Sequence, residues 1–231
     1  MLFPIELALV LFFLIFFSII SHKKKLLNFE GILIADVVGL AAITYGPNPL
    51  LCFFAVVVFF IIGEIASNYP RKKHDERNIW NVIGNSLPAL IVLSLIVPYP
   101  EYGIILQLGF FGAVSAALAD TLSSEIGYYS KSKPILITNF KKVVRGTDGG
   151  VTRLGELAGL FGSIIIASLY FIFIPNLFHF FILIGAGMIG TNMDSLMGAQ
   201  FEIKKILNNT HVNLMGSSAG AIFALILILI L

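Results

Sequence analysis

Long apolar runs, broken by short polar or proline-containing stretches, dominate the chain. A helix needs roughly 20 apolar residues to cross a bilayer, and fewer when packed among other helices. On that rule the pattern predicts eight spans, at about residues 2–20, 31–46, 49–66, 79–97, 102–119, 154–174, 177–197 and 213–231. The breaks fall at His22–Lys25, Gly46–Pro49, Asn68–Asn78, Pro98–Glu101, residues 120–153, Pro175–Asn176 and Gly198–Val212. The first run has no basic segment before it and no small-residue cleavage site after it, so it reads as a span and not as a signal peptide. In the sixth run Gly155, Glu156, Gly159 and Gly162 suggest the wall of a site more than a lipid-facing surface. The expected fold is all-α: a polytopic membrane helix bundle forming one integral membrane domain over residues 1–231. An internal echo fits two tandem four-helix repeats, since Asn81–Ser86 and Asn213–Ser218 both read N-x-x-G-x-S at the start of a span. The plainer explanation is that small residues let helices approach closely.

Composition removes the soluble alternatives. The chain is 58% hydrophobic and 12% charged, with mean hydropathy +0.94, and no soluble domain of 231 residues could cover that surface with polar groups. The single cysteine, Cys52, excludes a disulfide framework or a cysteine-based metal centre. Net charge is only +2, but its placement is informative. With Lys23–Lys25 cytoplasmic, all 15 Lys and Arg residues fall on the cytoplasmic side, and both termini lie outside. Of the 13 acids only Glu6 and Glu101 are expected near the outer face. Asp36, Glu64, Asp120, Glu125, Asp148, Glu156, Asp194 and Glu202 gather at cytoplasmic span ends. A carboxylate inside the bilayer edge costs on the order of 2–3 kcal/mol and is usually retained for a function. A transporter would place such groups near midplane, so the pattern predicts a site at the cytoplasmic face.

The longest hydrophilic stretch, residues 119–156, carries most of the candidate chemistry. Asp120 and Glu125 lie five residues apart, and on an ideal helix they diverge by more than a right angle. They converge on one ion only if the helix ends or bends between them, which Ser123, Ser124 and Gly127 would allow. Asp120 is a candidate Mg²⁺ ligand and Glu125 a second ligand or a base; the alternative is a solvated helix end. In Arg145-Gly146-Thr147-Asp148-Gly149-Gly150 the glycines allow positive φ, so that backbone N–H groups can form an anion nest before a helix N-terminus. Lys141, Lys142, Arg145 and Arg153 could neutralise a polyphosphate, and Asp148 could hold a bridging cation or bind a sugar hydroxyl. Neither a P-loop nor a Rossmann fingerprint is present. Asp194, among Asn192, Ser195 and Gly198, is a second metal-binding or catalytic carboxylate, or else a buried acid paired with a cation. Asn78, Asn81 and Asn85 form one polar helix stripe that either contacts a ligand or bridges helices. Lys72, Lys73 and Arg77 read as topology determinants. His22, His74, His179 and His211 share no ligand spacing, and no G-x-S-x-G nucleophile elbow occurs.

Four ordered motifs carry a family resemblance: A-D-T-x-x-S-E-x-G (119–127), G-T-D-G-G-V-T-x-x-G (146–155), D-S-L-x-G-A (194–199) and V-N-x-x-x-S (212–217). With R-N-x-x-N-V-x-x-N (77–85) upstream, the chain resembles the phytyl-phosphate kinase and transmembrane-protein-19-like family over essentially its whole length. It departs from the family pattern at Asp148, where Asn is usual, and at Leu122, where Trp is common. The resemblance implies a membrane kinase related to CTP-dependent polyprenol kinases. Such an enzyme moves the γ-phosphoryl of a nucleoside triphosphate, CTP favoured, onto a prenyl monophosphate such as phytyl or geranylgeranyl phosphate. It further implies Asp120, Glu125 and Asp194 as Mg²⁺-binding and catalytic acids, and Gly146–Gly150 with Lys142, Arg145 and Arg153 as the phosphate cradle. Asn81, Asn85, Asn213 and Ser217 would be polar contacts on the nucleotide or phosphate side. Membrane lipids are expected partners and nucleic acid is not; a homodimer is left open. The rival classes are another Mg²⁺-dependent lipid-headgroup transferase or cytidylyltransferase, and a transporter.

Overall fold

The computed structural model describes residues 4–67 and 78–230; the basic segment with Lys72, Lys73, His74 and Arg77 lies outside the described residues. Within them the chain forms eight α-helices: α1 Pro4–Lys24, α2 Phe29–Tyr45, α3 Pro49–Ser67, α4 Ile79–Ser94, α5 Gly103–Gly127, α6 Arg153–Phe173, α7 Leu177–Met197 and α8 Asn209–Ile230. Their starts are written in the sequence. Asn28, Asn78, Thr152 and Asn176 each accept a hydrogen bond from a backbone N–H in the first turn that follows, and Pro49 opens α3 where no N–H is needed. Five segments are long and apolar enough to cross a membrane: Pro49–Ser67, Pro100–Gly127, Arg153–Phe173, Leu177–Glu202 and Asn209–Ile230; Ile79–Ser94 is a shorter apolar helix. The architecture is an all-α membrane bundle.

Three boundaries differ from the expectation by four residues or more, the first being α1, which runs into the basic cluster as far as Lys24. Helix α5 does not stop near Ala119 but continues to Gly127, and α8 begins at Asn209, four residues before the apolar run. The added turns of α5 pack on α6, where Gly155 and Gly159 lie against Ser123, and Thr210 in the added turn of α8 backs onto Gly84 of α4. Helix α5 is the hub. Its residues from Leu106 to Ala119 are buried throughout, against α3, α4, α6, α7 and α8. Helix α2 packs on α3 and α4, while α1 packs on α2 and sets Phe13 and Phe17 edge-on to Phe53 and Phe60 of α3.

Small residues set the spacing around the hub. A Cβ on Gly190 of α7 would overlap Ala116 of α5, and one on Gly220 of α8 would lie 2.6 Å from Ala116 Cβ. Ser115 Oγ donates to the Leu183 carbonyl at 2.8 Å, satisfying a buried hydroxyl across the α5–α7 contact. The glycine series of α6 proves to be a packing seam and not a site wall: Gly155, Gly159 and Gly162 lie against Ser123, Ala119 and Leu118 of α5.

Residues 128–152 fold back over one end of the bundle. Two short strands, β1 (Ile135–Leu136) and β2 (Gly150–Val151), pair antiparallel with Ile135 opposite Val151. Thr152 then ties the return to the hub, since its hydroxyl caps α6 at Gly155 N (3.0 Å) and donates to the Gly127 carbonyl at the end of α5 (3.3 Å).

Candidate functional site

One helical turn beyond the small-residue layer, the same close packing brings two carboxylates together. Asp120 follows Ala116 by four residues and Asp194 follows Gly190 by four, so the contact between Ala116 and Gly190 aims both acids at one point. The two carboxyl groups interact electrostatically and line one cavity. Each has a polar neighbour that fixes it. Thr191 Oγ1 donates to Asp120 Oδ1 at 3.3 Å, and Asn213, with its amide turned to donate, reaches Asp194 Oδ2 at 3.1 Å. Gly216 leaves room for the Asp194 side chain, because a Cβ there would sit 3.0 Å from Asp194 Cβ.

The pair opens into a polar cavity of about 320 Å³. The Gly146–Gly150 turn, Arg145, Tyr128, Asn81, Asn85, Asn209 and Asn213 all line it. Gly146 and Gly149 adopt φ of +82° and +70°, the left-handed conformation the anion-nest reading requires of the glycines. Gly149 has a second constraint: a Cβ would overlap the Ser195 carbonyl and Ala199, where α7 gives way to a π-turn over Gly198–Glu202. Single π-turns of this kind recur at functional sites. The Arg145 guanidinium donates to the Ser130 carbonyl, which holds the cation beside the cavity.

The structure sorts the sequence-derived candidates. It brings together Asp120, Asp194, Arg145, the Gly146–Gly150 turn, Asn81, Asn85 and Asn213 around one cavity. Glu125 also lines that cavity, but α5 is unbroken between Asp120 and Glu125, so the condition for their converging on one ion is not met. Glu125 instead accepts a hydrogen bond from Ser67 of α3 at 3.2 Å. Lys142 and Arg153 are exposed and outside the lining, and Ser217 is buried in the bundle at 2% exposure, also outside it. Asn78 caps α4 in a reciprocal capping box with Asn81.

Thr191 and Asn209 were not among the sequence candidates, and Glu202 was named only as one of the acids at the cytoplasmic span ends. Glu202 enters through the π-turn, whose geometry no periodicity reveals. Thr191 precedes Asp194 by three residues, a spacing that shares a helix face. Asn209 was detectable, since Asn209 and Asn213 on α8 repeat the four-residue spacing of Asn81 and Asn85 on α4. The two helices are neighbours, with Gly84 against Thr210 and Asn213.

The electrostatics are one-sided. Asp194 feels the charges of Asp120, Glu202 and Asp148, all carboxylates. Adjacent carboxylates in a low-dielectric site repel strongly unless a cation or proton lies between them. Among the described residues no three His, Cys, Asp or Glu side chains form a metal-binding cluster. The oxygen-only pair Asp120–Asp194 therefore fits a hard divalent cation that takes its remaining ligands from water and phosphate, which is how Mg²⁺ is commonly held.

Comparison with known proteins adds the following. The integral membrane protein family DUF92 matches over residues 12–221. An uncharacterized membrane protein of Methanocaldococcus jannaschii is 32% identical over 221 residues, covering 91% of this chain and 89% of its own. Protein VTE6, chloroplastic, of Arabidopsis thaliana is 29% identical over 219 residues, covering 87% of this chain and 65% of its own. An uncharacterized membrane protein of Synechocystis is 30% identical over 186 residues, covering 75% of this chain and 72% of its own. No solved structure matches the chain.

Proposed function

The chain belongs to the DUF92 integral membrane protein family, and on that premise we propose that it is a prenyl-phosphate kinase, using a nucleoside triphosphate, CTP favoured, as donor. The observation that carries the reading is the Asp120–Asp194 pair facing the positive-φ Gly146–Gly150 turn across one polar cavity. The motif resemblance to phytyl-phosphate kinases supports the same conclusion.

In the reaction a non-bridging oxygen of the acceptor monophosphate forms a bond to the γ-phosphorus. The bond from that phosphorus to the β–γ bridging oxygen breaks, and a nucleoside diphosphate leaves with the electron pair. Such transfer depends on positioning and charge neutralisation more than on a protein nucleophile. The acceptor phosphate is already ionised, so no strong general base is needed. Asp120 and Asp194 would hold Mg²⁺, which when bound offsets the negative charge of the two phosphates. The N–H groups of the Gly146–Gly150 turn are suited to hydrogen-bond phosphate oxygens, and Arg145 brings a cation to the same cavity. Thr191 and Asn213 hold the two carboxylates in fixed orientation, so that little reorganisation is needed when substrates arrive. Glu202 and Asp148 add negative charge that favours cation-complexed over free nucleotide. The distribution of Lys and Arg supports a cytoplasmic placement of this end.

The test is product identification. Purified protein is incubated with γ-labelled CTP, GTP or ATP and geranylgeranyl phosphate, and the lipid product is analysed by mass spectrometry. The reading predicts the prenyl diphosphate and a nucleoside diphosphate. Release of pyrophosphate or CMP instead would replace the kinase with a cytidylyl- or CDP-alcohol-type transferase.

A further inference from the structure

A second cavity lies beside the first, and its lining has the opposite chemistry. It is a narrow cleft of about 90 Å³ enclosed by α1, α2, α3, α4 and α5. Its walls are apolar except for Asn81, Asn85 and Ser86, all on α4. Asn81 and Asn85 also line the polar cavity, so the two spaces meet at these side chains. From that junction the cleft follows α4 from Asn81 to Ala89 and α5 from Ala117 back to Phe110. At 1.5 Å per residue this carries it about 10–12 Å into the bundle, starting one turn from Asp120. A polar chamber joined end-on to an apolar slot is the shape of a site for one molecule with an anionic head and a hydrocarbon tail.

We infer that the tail of the acceptor lipid lies in the cleft between α1, α3 and α4, with its phosphate passing Asn81 and Asn85 to reach the Asp120–Asp194 pair; this assignment rests on the kinase reading and gives the acceptor its place. Continuity with the phosphate chamber favours this occupant over a bulk lipid, which would have no reason to seat its headgroup there. The amides of Asn81 and Asn85 mark the boundary. Asn85 Nδ2 donates to the Asn81 carbonyl at 3.0 Å, which keeps one amide satisfied at the neck while its oxygen remains available.

The slot as described is too narrow for a long isoprenoid, so a wall must move, and α1 is the wall held least. It packs on α2 and meets α3 through the Phe13–Phe53 and Phe17–Phe60 ring contacts, with centroids 5.6 and 4.5 Å apart. Side chains of this kind can separate and close again on an apolar chain without stranding a polar group. The tail therefore enters from the bilayer between α1 and α3, and not through the α5–α8 side, where glycine-to-backbone contacts leave no gap.

The experiment is photo-crosslinking of the full-length wild-type protein in nanodiscs with geranylgeranyl phosphate carrying a diazirine near the tail end, followed by peptide mapping. Label on residues 13–17 and 57–61, competed by unlabelled geranylgeranyl phosphate, is the expected result. Label confined to α6, α7 or α8 overturns the assignment. A second arm fills the slot with Ala35→Phe or Val57→Trp and compares geranylgeranyl with geranyl phosphate as acceptor. The ratio of kcat/KM for the long over the short acceptor should fall about tenfold or more, the scale on which an apolar pocket discriminates chain length. An unchanged ratio overturns the slot. Crosslinking needs no turnover, so the two readings separate. Competed label at 13–17 and 57–61 with no diphosphate formed would keep the tail site and reject the kinase, whereas diphosphate formed with label elsewhere would do the reverse.

Discussion

Gly149→Ala is the substitution whose effect the structure fixes most closely. Two costs add at this position. With φ at +70° an alanine is held in the left-handed region, which costs about 1–2 kcal/mol for an L-residue. Its Cβ also overlaps backbone, the Ser195 carbonyl and the Ala199 amide, which cannot rotate away as a side-chain end can. Forcing a methyl into such a contact typically costs about 1–3 kcal/mol. The sum, about 2–5 kcal/mol, falls on the docking of the 128–152 segment against the α7 π-turn and not on the bundle. At about 1.4 kcal/mol per tenfold, the docked fraction drops roughly 30-fold to a few thousand-fold relative to the undocked one. Gly146→Ala is the internal control. Its φ of +82° imposes the same conformational cost, but the nearest atom to its Cβ would be Tyr128 Cε2 at 3.9 Å, an ordinary contact. It should lose only about tenfold, the conformational share alone. Docking is read by limited trypsin cleavage at the exposed Lys141, Lys142 and Arg145, and catalysis by diphosphate formation. Cleavage should accelerate and activity fall together, in the order Gly149→Ala, Gly146→Ala, wild type. Equal behaviour of the two alanine variants, or Gly149→Ala within threefold of wild type, would refute the claim that this glycine seats the turn on α7.

Further outcomes follow from the same geometry. Asp120→Asn and Asp194→Asn should each lower kcat by about two orders of magnitude or more, and the double variant should be little worse than either, because the residues act as a unit; multiplicative losses would contradict a shared role. Glu125→Gln should retain activity within about tenfold, because Glu125 accepts from Ser67 and lies five residues beyond Asp120 on an unbroken helix; inactivation would return it to the chemistry. Asn213→Ala, which removes the amide facing Asp194, should cost about 1–3 kcal/mol of transition-state stabilisation, read as kcat/KM with unchanged thermal stability. Thr152→Ala should lower thermal stability by about 1–2 kcal/mol through the lost α6 cap and its tie to Gly127, and a variant as stable as wild type would show that the cap contributes nothing.

The helices were legible because a bilayer imposes length and apolarity together. The starts of α4 and α7 were legible because the polar breaks before them end in Asn78 and Asn176, which cap the helices. The continuation of α5 to Gly127 was not, since Thr121, Ser123, Ser124 and Glu125 look like a helix end in isolation and become helical only when α6 and α3 surround them. The acids at positions 120 and 194 could be singled out by their small-residue surroundings. Their meeting depends on which glycine faces which alanine, a tertiary fact. The place of Glu202 at the cavity was hidden for a related reason: the π-turn that carries it lies where Gly198 meets Gly149, and no repeat in the sequence marks it. Lys142 and Arg153 are exposed and do not line the cavity, a placement that charge near a motif could not reveal.

Divalent-cation binding probes the carboxylate pair without assuming a donor or an acceptor. Mn²⁺ is titrated into purified protein with a non-hydrolysable CTP analogue and followed by electron paramagnetic resonance, in wild type, Asp120→Asn, Asp194→Asn and Glu125→Gln. The account predicts a nucleotide-dependent site in wild type and Glu125→Gln that is lost in both aspartate variants. Undiminished Mn²⁺ affinity in Asp120→Asn and Asp194→Asn would contradict it.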